Sequence, residues 1–294
     1  MGDHDCLLRF VFEDLGVRGE LVRLDASWRA VLERHAYPEI VKTQLGQALA
    51  TVVLLSATVK FEGALILQAQ GEGPLHTLVA QATHQRTLRG LARWHGEGPA
   101  GGGLAEVFGA GRLVLTLQRE GAEPYQGIVG LEGANLAEAV QTYFTHSEQL
   151  PTRLWLAADN DRATGLMLQE LPGQYGGSGG EGEAWSRLTL LADTVTEREL
   201  LLLPAETLLY RLFNEEDVSV FEPEPVAFRC SCSRERIESV LRSLGRAEAE
   251  AGLAENGRLD VGCEFCNRRY GFDAVDVHAL FATDLAAPGS RSKH

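Results

Sequence analysis

The sequence predicts an α+β protein. An N-terminal domain (residues 1–173) with a largely antiparallel sheet and packed helices is followed by a helical linker (174–229), a small C-terminal domain (230–287) and a tail (288–294). Three observations carry this reading. Stretches that alternate apolar and polar residues come in neighbouring groups rather than in strict βαβ order, which favours antiparallel pairing. The glycine-rich passage QYGGSGGEGE (174–183) marks a boundary. Four of the five cysteines fall in the last quarter of the chain.

Leu7–Glu13, Val17–Leu24, Gly63–Gln70, Arg112–Gln118 and Arg153–Ala157 alternate as strands do. Ser27–His35, Pro38–Val59 and Leu136–Leu150 carry long apolar faces and read as core-facing helices. GEGPAGGG (96–103) reads as a surface loop. In the linker, ten of the fourteen residues of LLLLPAETLLYRLF (200–213) are apolar. Thr196-Glu197-Arg198-Glu199 forms a capping box ahead of them, and Pro204 interrupts the helix it starts.

The linker holds eleven acids against four arginines, a net of −7 within a total of −14. So apolar a run needs a partner surface, and the first domain's sheet is the expected one. An acidic segment of this kind exposes a sticky face when it leaves its partner. In the C-terminal domain, Ser233 caps a helix whose Ile237, Val240, Leu241 and Leu244 share one face, with Gly245 as terminator. Asn256-Gly257 turns the chain, Leu259–Val261 and Arg269–Phe272 form a hairpin, and Asp273 caps a last helix.

Charge excludes two partner classes. With 27 Lys+Arg against 41 Asp+Glu, the chain lacks the positive surface that nucleic acid or an anionic membrane requires. The longest apolar stretch, the 12 residues Ala48–Val59, is shorter than the roughly 20 a membrane span needs. MGDHDCLLRF has neither the basic start nor the apolar stretch of a signal peptide. The expectation is a cytoplasmic protein.

The cysteines are Cys6, Cys230, Cys232, Cys263 and Cys266, the last four as Cys-x-Cys and Cys-x-x-Cys separated by 30 residues. In a reducing compartment this spacing points to metal or redox chemistry before a structural disulfide. Zinc takes four soft ligands in a tetrahedron, and Cys-x-x-Cys on a turn presents two. Cys230, Cys232, Cys263 and Cys266 are the predicted ligands of one Zn2+, contributing on the order of 10–16 kcal/mol to folding a domain with too few large apolar residues of its own. Arg229, Arg234, Arg236, Arg268 and Arg269 lie nearby in sequence, and positive neighbours favour reactive thiolates. From spacing, both an inert structural zinc knuckle and an oxidisable centre remain open.

CSCSRERIESVL (230–241) and CEFCNRRYGFD (263–273) resemble the heat shock protein 33 family of redox-regulated holdase chaperones. Val17-Arg18-Gly19-Glu20, Lys60-Phe61-Glu62-Gly63, Gly71-Glu72-Gly73-Pro74, YQGIVGLEG (125–133) and SEQLPTRLW (147–155) extend the resemblance along nearly the whole chain. The resemblance implies an inactive form that is reduced and zinc-bound. Oxidation then forms Cys230–Cys232 and Cys263–Cys266 disulfides, releases zinc, unfolds the linker and gives a homodimer. That form holds unfolding client proteins without ATP and hands them to ATP-dependent refolding chaperones. Cys6 lies outside the family pattern and reads as a partly buried small hydrophobe.

Other signals are weaker. Gly176-Gly177-Ser178-Gly179-Gly180 fits a nucleophile elbow in letters but sits in a glycine linker, without the strand and helix that motif requires. Gly96-x-Gly98-x-x-Gly101 contains Pro99 and lacks βαβ surroundings, so it is not a dinucleotide fingerprint. His278 is an ordinary helix residue beside a complete cysteine set. Two rival functions remain: a thiol-disulfide oxidoreductase using Cys263 and Cys266, which lacks a thioredoxin-like βαβ pattern, and a zinc-ribbon nucleic-acid binder, opposed by the net charge.

Overall fold

The structure, a computed structural model, describes residues 4–99, 101–171 and 182–282. The expected glycine boundary (174–183, but for its last residues), the Gly176–Gly180 motif and the tail (288–294) lie outside the described residues. The chain divides into two compact units that part between Arg229 and Cys230.

The first unit opens with the hairpin β1 (Cys6–Phe12) and β2 (Val17–Leu24), then α1 (Ala26–Leu32) and α2 (Glu39–Thr58). A meander follows: β3 (Gly63–Gly71), β4 (Leu75–Thr83) and β5 (Thr87–Trp94). The short helix α3 (Leu104–Phe108) leads into β6 (Gly111–Arg119) and β7 (Tyr125–Gly130). Helix α4 (Leu136–Tyr143) runs on as a π turn over Phe144–Glu148, and β8 (Thr152–Ala158) and β9 (Ala163–Glu170) form a second hairpin. Then come α5 (Glu183–Ala192), α6 (Glu197–Leu202), α7 (Ala205–Phe213) and the short strands β10 (Val218–Val220), β11 (Glu224–Pro225) and β12 (Ala227–Phe228).

These strands make two sheets, β10-β1-β2-β9-β8 with β11 also on β1, and β12-β5-β4-β3-β6-β7. Apart from the parallel pair of β12 with β5, the pairings are antiparallel, as expected. Helix α2 packs on β2, β8 and β9 of one sheet and on β3, β4 and β5 of the other. By length and composition it suffices to cross a membrane. Its apolar residues are instead enclosed by protein: Val41, Leu45, Leu49, Val52 and Val53 are fully buried. A helix apolar nearly all round is what a position between two sheets requires.

Because strand side chains alternate faces, Leu7 and Val22 join the α2 core, while Phe10, Phe12 and Leu21 point the other way. That second face is covered by α5–α7 through Leu200, Leu208, Leu212 and Phe213. The Phe12 and Phe213 rings meet edge to face at 4.9 Å. The capping box is present: the Thr196 side chain accepts from the Glu199 N–H while the Glu199 carboxylate accepts from the Thr196 N–H. Helix α6 stops at Leu202 and α7 restarts after Pro204. Arg23 of β2 and Arg162, just before β9, cap the end of α6: Arg23 donates to the Leu201 carbonyl at 2.9 Å and to the Leu203 carbonyl, and Arg162 donates to the Leu201 carbonyl and to Asp25.

Three expectations are corrected. The helix expected over Leu136–Leu150 is α-helical only to Tyr143, and the π turn ends at Gln149 in the left-handed region (φ 55). The segment expected to be a helical linker is helical to Phe213, then adds edge strands to both sheets. Those strands are too short to show a periodicity. In the second unit, Ser233 and Gly245 bound α8 (Arg234–Leu244), but only Leu241 of the expected stripe is buried, with Val240 and Leu244 50% and 60% exposed. The helix α9 (Arg246–Asn256) was not anticipated. Its alternating alanines and glutamates favour a helix without an apolar stripe.

Candidate metal centre

Past α9, the hairpin β13 (Leu259–Gly262) and β14 (Arg269–Phe272) precedes α10 (Ala274–Ala282), whose first turn is capped by the Asp273 carboxylate accepting from the Asp276 N–H at 2.9 Å. A tight turn joins the hairpin strands. The Asn267 N–H donates to the Cys263 carbonyl at 2.7 Å and the Cys263 N–H to the Arg268 carbonyl at 2.9 Å. Asn267 takes the left-handed region (φ 58), which asparagine tolerates better than most residues. The turn points Cys263 and Cys266 the same way. Cys230 and Cys232 come from the extended segment ahead of α8, where the Ser233 hydroxyl accepts from the Arg236 N–H at 3.3 Å.

The four sulfurs lie within 4.8 Å of one another. Cys230 Sγ is 3.6 Å from Cys263 Sγ, and Cys232 Sγ is 3.3 Å from Cys266 Sγ. A tetrahedron with Zn–S bonds of about 2.3 Å has sulfur–sulfur edges of about 3.8 Å. The soft, four-sulfur donor set and these spacings fit one zinc-sized ion. Cys263 is buried and the others half-buried. His278 is exposed on α10 and is not part of the cluster. Cys6 is buried in β1, 8% exposed and outside any disulfide.

The electrostatics explain why such a cluster wants a cation. Burial pushes the Cys266 thiol up to about 12 and also raises Cys263. Burial raises Cys232 too, but the hydrogen bond from Tyr270 and the neighbouring sulfurs outweigh it and bring that thiol down to about 7. The Tyr270 hydroxyl donates to Cys232 Sγ at 3.2 Å. Without a cation, burial therefore favours the protonated thiols of Cys263 and Cys266. A divalent ion must displace those protons.

Of the arginines near the cysteines in sequence, Arg268 acts on the sulfurs electrostatically, raised in turn by its Tyr270 hydrogen bond and the charges of Tyr270, Cys232 and Cys266. Arg236 braces the Cys-x-Cys segment by donating to the Ser231 carbonyl at 2.8 Å. Arg234 ties α8 to α10 and to the hairpin, through Asp276 at 2.8 Å and the Phe272 ring at 4.3 Å. Tyr270 was not singled out from the sequence. Its signal was there: it lies two residues along β14 from Arg268, beside the second cysteine pair.

Comparison with known proteins agrees with this geometry. The Hsp33 protein family matches residues 5–273. A 33 kDa chaperonin of Nitrosococcus oceani is 62% identical over the full length of both chains. One of Pseudomonas paraeruginosa is 48% identical, again over all of both chains. The crystal structure of the 33 kDa chaperonin of Thermotoga maritima superposes with a TM-score of 0.84 at 25% identity, covering 97% of this chain and all of that one. The chain belongs to the Hsp33 family of chaperones.

Proposed function

We propose that this chain is a redox-regulated, ATP-independent holdase that protects unfolding proteins from aggregation under oxidative stress. Cys230, Cys232, Cys263 and Cys266 hold one Zn2+ in the reduced, inactive state. The observation that carries the reading is their gathering into one cluster in a unit whose apolar core, among the described residues, is only Leu241, Ala249, Phe272, Val277, Leu280 and Phe281 with partly buried neighbours. Zinc, when bound, supplies folding free energy that so small a core lacks.

Oxidation then joins Cys230 to Cys232 and Cys263 to Cys266. Forming each disulfide from two zinc-bound thiolates passes two electrons to an oxidant such as a peroxide, which takes two protons from solvent and is reduced to water. Disulfide sulfur is a poor metal ligand, so the second unit loses its staple. Helices α5–α7 leave the first sheet, uncovering Phe10, Phe12 and Leu21, which they bury in the reduced form. That surface binds clients and supports a homodimer, and ATP-dependent chaperones take the clients on. The unbridged thiols suit the reducing cytoplasm, and the protein acts by binding rather than as an enzyme.

The test is light scattering from a heat-unfolding client, with the chaperone added reduced and zinc-loaded or pre-oxidised with peroxide under mild heat. Suppression by the oxidised form alone, reversed by a reductant, is the expected result. Equal suppression by both forms would reduce the cysteines to a structural zinc site.

A further inference from the structure

Away from the cysteines, the first unit contains a cavity of about 260 Å³. Leu55, Leu65, Leu115, Leu117 and Phe144 are among its apolar walls, and Arg18, Thr58, Tyr125, Tyr143, Glu148 and Gln169 are its polar lining. The segments that carry the family resemblance meet here: 17–20 brings Arg18, 60–63 Phe61, 125–133 Tyr125, and 147–155 Glu148 and Leu150. None of them contains a cysteine, and the redox centre makes no use of them.

The polar end is built around Arg18. Its Nη2 donates to the Thr58 carbonyl at 3.4 Å and to the Gln169 side-chain oxygen. Gln169 is itself fully buried, and its amide donates to the Thr152 hydroxyl at 2.8 Å. The guanidinium is thus held in a fixed orientation. Its Nε is buried and makes no hydrogen bond but is ion-paired with Glu20 Oε1 at 3.8 Å, while Glu20 Oε2 is unmatched. A guanidinium whose hydrogen-bonding capacity is incompletely used recognises a carboxylate. At the exposed rim, Glu148 accepts from the Tyr143 hydroxyl at 2.7 Å. That second negative charge disfavours polyanions such as nucleotides and leaves room for a single anionic group with an apolar tail.

We infer that this cavity is a binding site for a free aliphatic monocarboxylate of medium chain length, with its carboxylate on Arg18 and its tail against Leu65, Leu115 and Leu117. The volume lies just below the roughly 300–1,000 Å³ of common ligand pockets, which limits the tail to about the length of decanoate. The inference does not rest on the redox reading, because every residue involved belongs to the first unit.

The test is isothermal titration of the reduced, zinc-loaded full-length chain with decanoate, and in parallel with decanol. Saturable one-to-one binding below about 1 mM is expected. It should weaken about tenfold or more for decanol and for Arg18→Gln, and be lost in Leu117→Trp, which fills the cavity from a half-buried wall position. Zinc content and thermal midpoint check that each variant is folded, and Leu117→Trp decides the matter if Arg18→Gln does not fold. Equal affinity for decanol, unchanged decanoate affinity in a folded variant, or no saturable binding up to about 1 mM would each overturn the inference.

Discussion

The two units solve the same problem by different means. The first is held by two apolar cores, one around α2 between the sheets and one beneath α5–α7. The second has one small core and four cysteines that point at a common centre. Apolar burial is spread over many residues and resists any single loss. On the proposed reading, a metal staple concentrates the second unit's stability in four atoms, so a chemical event at those atoms removes it all. The family's chaperone role suits a molecule with one part of each kind.

Zinc removal should break this comparison most sharply. With a chelator present, residues 230–282 should lose amide protection wholesale, a loss on the order of 10–16 kcal/mol, while β1–β9 keep theirs. Equal protection in both units, with and without zinc, would show that the small core suffices. Next in size, Phe213→Ala should cost the first unit about 3–5 kcal/mol in denaturant unfolding, since Phe213 is 2% exposed against Phe10 and Phe12. A cost below about 1 kcal/mol would mean that α7 is hardly coupled to the sheet.

Acid should push the two units in opposite directions. Burial pushes the Glu20 carboxyl up to about 7, with Arg18, Arg9 and Arg86 opposing the shift. The folded state therefore holds a proton that the unfolded chain releases above its ordinary 4.5. Stability from this group falls as pH rises from about 4.5 to 7 and is restored on acidification. Glu20→Gln should stabilise the first unit by about 1–3 kcal/mol at pH 8 and flatten that slope in thermal melts. In the second unit, thiols raised by burial must lose protons to bind zinc, so competition titrations should show affinity falling as pH drops. The smallest effect is expected from Cys6→Ser. It should leave zinc content unchanged and move stability by about 1 kcal/mol, and a large loss of zinc would place Cys6 in the centre.

Much of this was legible in the sequence. Val17–Leu24 alternates visibly and forms β2 over those same residues, and Pro38–Val59 is one residue wider at each end than α2. The four cysteines could be grouped from spacing because a chelate is a local geometric demand. Strand β9 was missed because its sequence ATGLMLQE does not alternate apolar with polar residues. Val240 and Leu244 misled because an apolar spacing states which residues share a face, not whether anything covers it. Tyr270 and the Arg18 cavity depend on pairings between distant segments, which no single stretch of sequence displays.

One such pairing bears on how the protein is made. Strand β1 is synthesised long before its outer partners, since Phe10 pairs with Val220 and Cys6 with Pro225. At about 5–20 residues per second, the outer edge of β1 stays bare for on the order of ten seconds or more after it is translated. The first sheet therefore closes only when its late strands arrive, just ahead of the cysteines. A ribosome-bound chain ending before Val218 presents an open edge carrying Phe10 and Phe12, and in that interval this chaperone is itself a candidate client.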